Sequence, residues 1–85
     1  MNSDYKEAII IAVNNGVGLL EMRDMTVCFK ADGLAQADAY NILEEVRTIF
    51  ARQDKDKEDL VLELMDFVVG WCQVKYFIWD DVLKT

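Results

Sequence analysis

Between Ala39 and Phe50 the apolar residues Ala39, Ile42, Leu43, Val46, Ile49 and Phe50 recur at steps of three and four. That spacing matches the turn of an α-helix and puts them on one face. The rhythm returns in Leu60, Val61, Leu64, Met65, Val68, Trp71 and Cys72. No proline occurs in the 85 residues, so the commonest helix breaker is missing. Two striped helices have to cover their apolar faces, and helix on helix is the simplest way.

The whole chain, residues 1–85, reads as one helical domain. A first helix is expected after Ser3, which can cap it, with Asp4 and Glu7 suiting its positive end. Ile9, Ile10 and Ile11 supply bulk, although three adjacent isoleucines also fit a strand. Asn14-Asn15-Gly16 suits its end, since Asn and Gly tolerate left-handed backbone. Val17 to Lys30 reads as a second helix, with Thr26 to Phe29 open to an extended alternative. Asp32-Gly33 stops it. The third helix runs from Ala35 to about Arg52 and is followed by a charged turn, Gln53 to Lys57. The fourth runs from about Glu58 to Cys72. Leu62, Phe67 and Val69 widen its stripe, as expected of a central helix, and Gly70 marks close packing or a fraying end. The aromatics Tyr76, Phe77 and Trp79 of the tail either fold back or wait for a partner. The predicted fold is all-α: a compact bundle of three to four antiparallel helices with an aromatic C-terminal tail.

Composition narrows the chemistry. Histidine is absent, which removes the commonest general base and any Ser-His or Cys-His pair. Asn15-Gly16-Val17-Gly18 contains a GxG that no later Gly or Gly-Lys completes. Asp54-x-Asp56-x-Glu58 opens like a calcium loop, but Asp59 stands where the glycine belongs and Met65 where the glutamate belongs. Cys28 and Cys72 form no CxxC motif and read as small buried apolar residues. The N-terminus has no basic region, and Ala8 to Val13 is short for a signal or a membrane span. The expectation is a cytoplasmic protein, not an enzyme, with no catalytic residue, metal ligand or cofactor, and no membrane partner.

What remains is charge. The chain carries 16 acids against nine bases. From Glu58 to Asp81 there are six acids and one base, Lys75. Such a balance disfavours direct contact with nucleic acid, whose phosphates call for clustered Lys and Arg. It favours a basic protein partner. Asp59, Glu63 and Asp66 are spaced to share one helix face, where like charges repel by about 0.2–0.5 kcal/mol per pair. Asp80 and Asp81 stand beside Trp79 and near Tyr76, and aromatic anchors next to charge are a common composition for binding hot spots. The candidate partner-binding residues are therefore Glu58, Asp59, Glu63, Asp66, Tyr76, Trp79, Asp80 and Asp81. The competing reading is that the acids only solubilise an apolar helix and the aromatics cap the core.

A helix containing Ala39-Tyr40-Asn41-Ile42-Leu43-Glu44-Glu45 precedes one containing Glu58-Asp59-Leu60-Val61-Leu62-Glu63-Leu64-Met65-Asp66, which closes on Val69-Gly70-Trp71-Cys72. With its size and acidity, this stretch from Leu34 to Cys72 resembles the small immunity proteins of bacterial toxin–immunity systems, including those of contact-dependent inhibition and polymorphic toxins. The chain is also similar to nuclease-colicin immunity proteins in size, charge and helical character. No binding residue is carried over. The resemblance implies a role: to bind a cognate toxin domain, often a basic nuclease, and neutralise it. The alternatives are an acidic phage or plasmid protein that mimics nucleic acid to inhibit a host protein, and a structural module that homodimerises through its apolar tail.

Overall fold

The computed structural model describes residues 2–70 and 78–79, with Asn2 described by its backbone alone. Four helices follow one another: α1 (Asn2–Asn14), α2 (Leu19–Ala31), α3 (Gln36–Ala51) and α4 (Lys55–Val69). There is no strand among the described residues. The stretches that sequence left open between helix and strand are helical for identifiable reasons. In α1, Ile9 is buried while Ile11 is 53% exposed, because a helix turns adjacent residues to different sides. In α2, Thr26 donates its hydroxyl proton to the carbonyl of Met22, one turn back, at 2.9 Å. This bond lets a β-branched polar residue sit fully buried inside a helix.

The ends of the elements shift from the sequence expectation at α1, which begins at Asn2 and so holds Ser3 within it rather than as its cap, and at α4. Residues 55–57 are not a turn but the first turn of the helix. Asp54 is its N-cap: the side chain accepts from the backbone N–H of Asp56 at 3.0 Å and of Lys57 at 3.4 Å. At the other end Gly70 takes φ 88°, a left-handed conformation that only glycine adopts without strain. The helix therefore stops at Val69, short of the Cys72 that periodicity suggested. Gly33, at φ 112°, ends α2 in the way its sequence position implied. Cys28 departs from the sequence expectation outright. It is exposed, because the buried Met22 and Thr26 set the inner face of α2 and residue 28 falls on the far side. Trp71, Cys72 and the conformation of residues 73–77 and 80–85 lie outside the described residues.

The helices form two hairpins that pack together. In the first, Tyr5 near the start of α1 meets Thr26 and Phe29 late in α2. In the second, Gln36 at the start of α3 donates to the carbonyl of Val68 at the end of α4, and Arg47 reaches Glu58. The α3–α4 pair is the most intimate, and α4 touches each of the other three helices. By contrast α2 and α3, joined by only residues 32–35, scarcely meet. The short link turns the chain from one hairpin to the other rather than pairing its neighbours. One apolar cluster runs through all four helices and includes Ile9, Met22, Leu43, Val46, Phe50, Val61, Leu64 and Val68.

A buried hydrogen bond orients α1 on α2. The Tyr5 hydroxyl lies 2.8 Å from Thr26 Oγ1, and both residues are fully buried. Since the Thr26 proton goes to Met22, the Tyr5 hydroxyl is the donor. Burial pushes the Tyr5 phenol far above its ordinary pKa, against a smaller lowering by Thr26. Two outcomes follow. Thr26→Val, which orphans a buried hydroxyl, destabilises by about 1–3 kcal/mol in chemical denaturation, whereas the Tyr5→Phe/Thr26→Val pair recovers most of that loss. Tyr5 also stays protonated in the folded chain. Its contribution to stability is complete below pH of about 10 and falls as pH rises through the unfolded phenol's range, which alkaline unfolding followed by tyrosinate absorbance reads directly.

Candidate partner-binding face

The face in question is set by where α4 begins. With Asp54 as cap, the residues Val61, Leu64, Met65, Val68 and Val69 turn inward and are buried. The opposite side then carries Asp59, Leu62, Glu63 and Asp66, all exposed. Asp59 and Asp66 are seven residues apart, two turns and about 10 Å along the axis. Three of the residues expected to meet a partner are thus brought to one outward strip.

Leu62 was missed as a member of this strip, having been assigned to the apolar stripe. It is 39% exposed. Phase puts it at the margin of the inner face, close to the buried Val69, and the neighbouring helices leave it outside. It supplies an apolar edge beside Asp59 and Asp66, each one turn away.

Glu58 has a different environment. Its side chain is 13% exposed and accepts from Arg47 Nη1 at 2.8 Å. Arg47 also holds Glu44 in a two-pronged grip, with Nε on Oε2 at 3.1 Å and Nη2 on Oε1. One guanidinium therefore spends all three nitrogens tying α3 to itself and to α4, a geometry that lysine cannot reproduce. The bond from Arg47 holds the Glu44 carboxyl below its usual range, and the two carboxylates raise the Arg47 pKa further.

Other acids are also engaged. Glu45 pairs with Lys6 across α3 and α1 at 3.4 Å, and Asp24 pairs with its neighbour Arg23 at 3.2 Å. Among the described residues, Asp59, Glu63 and Asp66 have no such cation. Partial withdrawal from water pushes the Asp66 carboxyl above its ordinary value. With no cation beside it to offset that cost, its charged form is disfavoured.

Of the tail residues, Trp79 is half-buried against the core, and the Lys30 ammonium lies 5.8 Å from the centre of its ring. Trp79 is thus already packed on its own chain. Tyr76, Asp80 and Asp81 lie outside the described residues. Elsewhere, Thr48, Ile49, Arg52 and Gln53 line an open hollow at the end of α3. Among the described residues no group of three potential ligands is placed to hold a metal ion, and no helix is long and apolar enough to cross a membrane. Comparison of the chain with protein-family models, with curated proteins and with solved structures finds no match.

The Arg47 knot has a measurable signature. Arg47→Met leaves Glu58 half-buried without its cation and lowers stability at neutral pH by about 1–3 kcal/mol in urea denaturation. Arg47→Lys regains only part of it. Because the Glu44 carboxyl is held below its usual range, this contribution is present above the ordinary carboxylate pKa and disappears as pH falls through the lowered one. The wild type and Arg47→Met therefore converge in strong acid.

Proposed function

We propose that this chain is an immunity-type inhibitor that binds a basic toxin domain through the outward face of α4 and thereby neutralises it. The observation that carries this reading is the division among the acids. Glu44, Glu45, Glu58 and Asp24 are matched to bases within the fold; of the acids with no such match among the described residues, Glu7, Glu21, Asp32, Asp38 and Asp56 are scattered along the chain, whereas Asp59, Glu63 and Asp66 gather on one face of α4. A face of like charges costs stability. A cationic partner turns that cost into attraction, speeds encounter and rejects acidic competitors. Leu62 at the edge of the strip, one turn from Asp59 and from Asp66, offers an apolar contact that water would otherwise hold. The rigid helix under the strip, capped at Asp54 and stopped at Gly70, needs little ordering on binding. Resemblance in size, acidity and helical character supplies the toxin–immunity context. On charge and composition alone Asp80, Asp81 and Tyr76 remain candidate contacts, and Trp79, packed against its own core, is a supporting contact rather than a free anchor.

The test is protection. Cells expressing the product of the adjacent reading frame are expected to survive when this chain is co-expressed, and the purified pair is expected to associate with a steep salt dependence. Replacing Asp59, Glu63 and Asp66 with lysine should leave the helical spectrum intact and reduce affinity by at least a hundredfold, since each removed pair becomes a repulsion. Equal protection by the triple variant would place the binding surface elsewhere. A finer signature comes from Asp66→Asn. Because the ordinary pKa of Asp66 is raised by burial, removing its charge is expected to hold or increase stability on denaturation while weakening binding. A residue kept only for the fold would show the opposite pattern.

A further inference from the structure

We propose that Lys30 is a clasp joining α2 to the C-terminal segment, so that α2 and residues 78–79 open and close on the rest of the bundle as one strap. Lys30 lies in the last turn of α2. Its ammonium donates to the carbonyl of Ile78, 48 residues away, at 2.8 Å, and lies 5.8 Å from the centre of the Trp79 ring. The side chain is half-buried, and in a chain of net charge −7 it makes no ion pair among the described residues. A partly desolvated ammonium is retained only where fixed acceptors compensate it. Here a main-chain oxygen and an aromatic face do so.

Both parts joined by the clasp depend on it. Ile78 is 4% exposed and belongs to the apolar cluster, although it lies eight residues beyond the glycine that ends α4. The other anchors of α2 are few. Only Met22 and Thr26 are buried on it, against five residues on each of α3 and α4. It scarcely meets α3, and its outer side leaves Leu20 54% exposed. A helix with so few buried contacts belongs to the low-stability end of a fold. The Lys30 contact closes its C-terminal end, while Tyr5 holds its middle through Thr26. Once Lys30 lets go, the Ile78 carbonyl loses its donor and the seat of Ile78 in the core is free to open. The strap therefore controls access to apolar surface beneath α2, on the inner side of the bundle and away from the acidic strip.

Amide hydrogen exchange on the full chain tests this. In the wild type, α2 and residues 78–79 are expected to exchange with a shared opening, faster than the buried turns of α3 and α4. Lys30→Met keeps the apolar stem and removes the donor and the charge. It is expected to speed exchange in both the second half of α2 and residues 78–79 by about tenfold, the effect of losing one charge-assisted hydrogen bond, with α3 and α4 unchanged. Lys30→Arg should restore wild-type exchange. The proposal is overturned if wild-type α2 exchanges as slowly as α3 and α4, or if Lys30→Met accelerates only one of the two segments. It is equally overturned if the variant fails to fold or loses protection in all four helices together, because Lys30 would then support the whole bundle.

Discussion

The interlock of α3 and α4 is the constraint on which the rest of this protein is built. Ala39, Leu43, Val46 and Phe50 from one helix and Val61, Leu64, Met65 and Val68 from the other enter a single apolar cluster. Full burial of a side chain of this size contributes about 1.5–3 kcal/mol, so a few such residues outweigh any single polar contact in the chain. The polar contacts at the seam do something different: they fix register. Gln36 on the Val68 carbonyl pins one end of the hairpin and Arg47 on Glu58 the other. A slip of one residue would rotate each helix by about 100° and break both. Lys57 extends the fixed end by reaching Asn14 of α1 at 3.2 Å and the Phe50 ring at 5.9 Å.

Against that hairpin, α1 and α2 are laid as a lighter layer. Apolar burial carries α1, through Tyr5, Ile9, Ala12 and Val13. A mixture of one buried methionine, one buried hydroxyl pair and one lysine clasp carries α2. The hydroxyl pair stabilises little in net terms but penalises every arrangement that leaves it unmade, which gives α2 a defined seat on α1 despite its small apolar face. The gradient from a tightly packed α3–α4 hairpin to a lightly held α2 is a property of the fold that composition averages would hide.

Function, on the proposed reading, uses the stable end of that gradient. The acidic strip stands on α4, the helix that touches all the others, so its carboxylates are displayed on the least deformable surface available. Several bases are committed elsewhere: Arg47 to Glu44 and Glu58, Lys6 to Glu45, Lys30 to Ile78 and Trp79. Charge excess and charge exposure are therefore separate facts, and the second matters for recognition.

Much of the architecture was legible in residue order. Periodicity alone located α3 and α4, because a 3.6-residue turn forces their apolar positions into one stripe. The absence of proline, together with Gly33 where a left-handed residue was needed, set the all-α class and one of its turns. Periodicity also put Asp59, Glu63 and Asp66 on a common face. Three-dimensional packing decided the rest. Only the fold could pair Glu58 with Arg47 and so remove it from the exposed acids, since eleven residues of sequence separate them. The outward turn of Cys28 and Leu62 depended on which stripe was chosen as inner, and that choice belongs to the neighbouring helices. The return of Ile78 and Trp79 to Lys30 spans 48 residues, a distance at which local propensity carries no information. The sequence by itself thus determined the two striped helices, α3 and α4, and how charge is distributed along the chain. The tertiary structure decided which of those charges are spent inside the protein and which face water, because pairing is a property of distance in space.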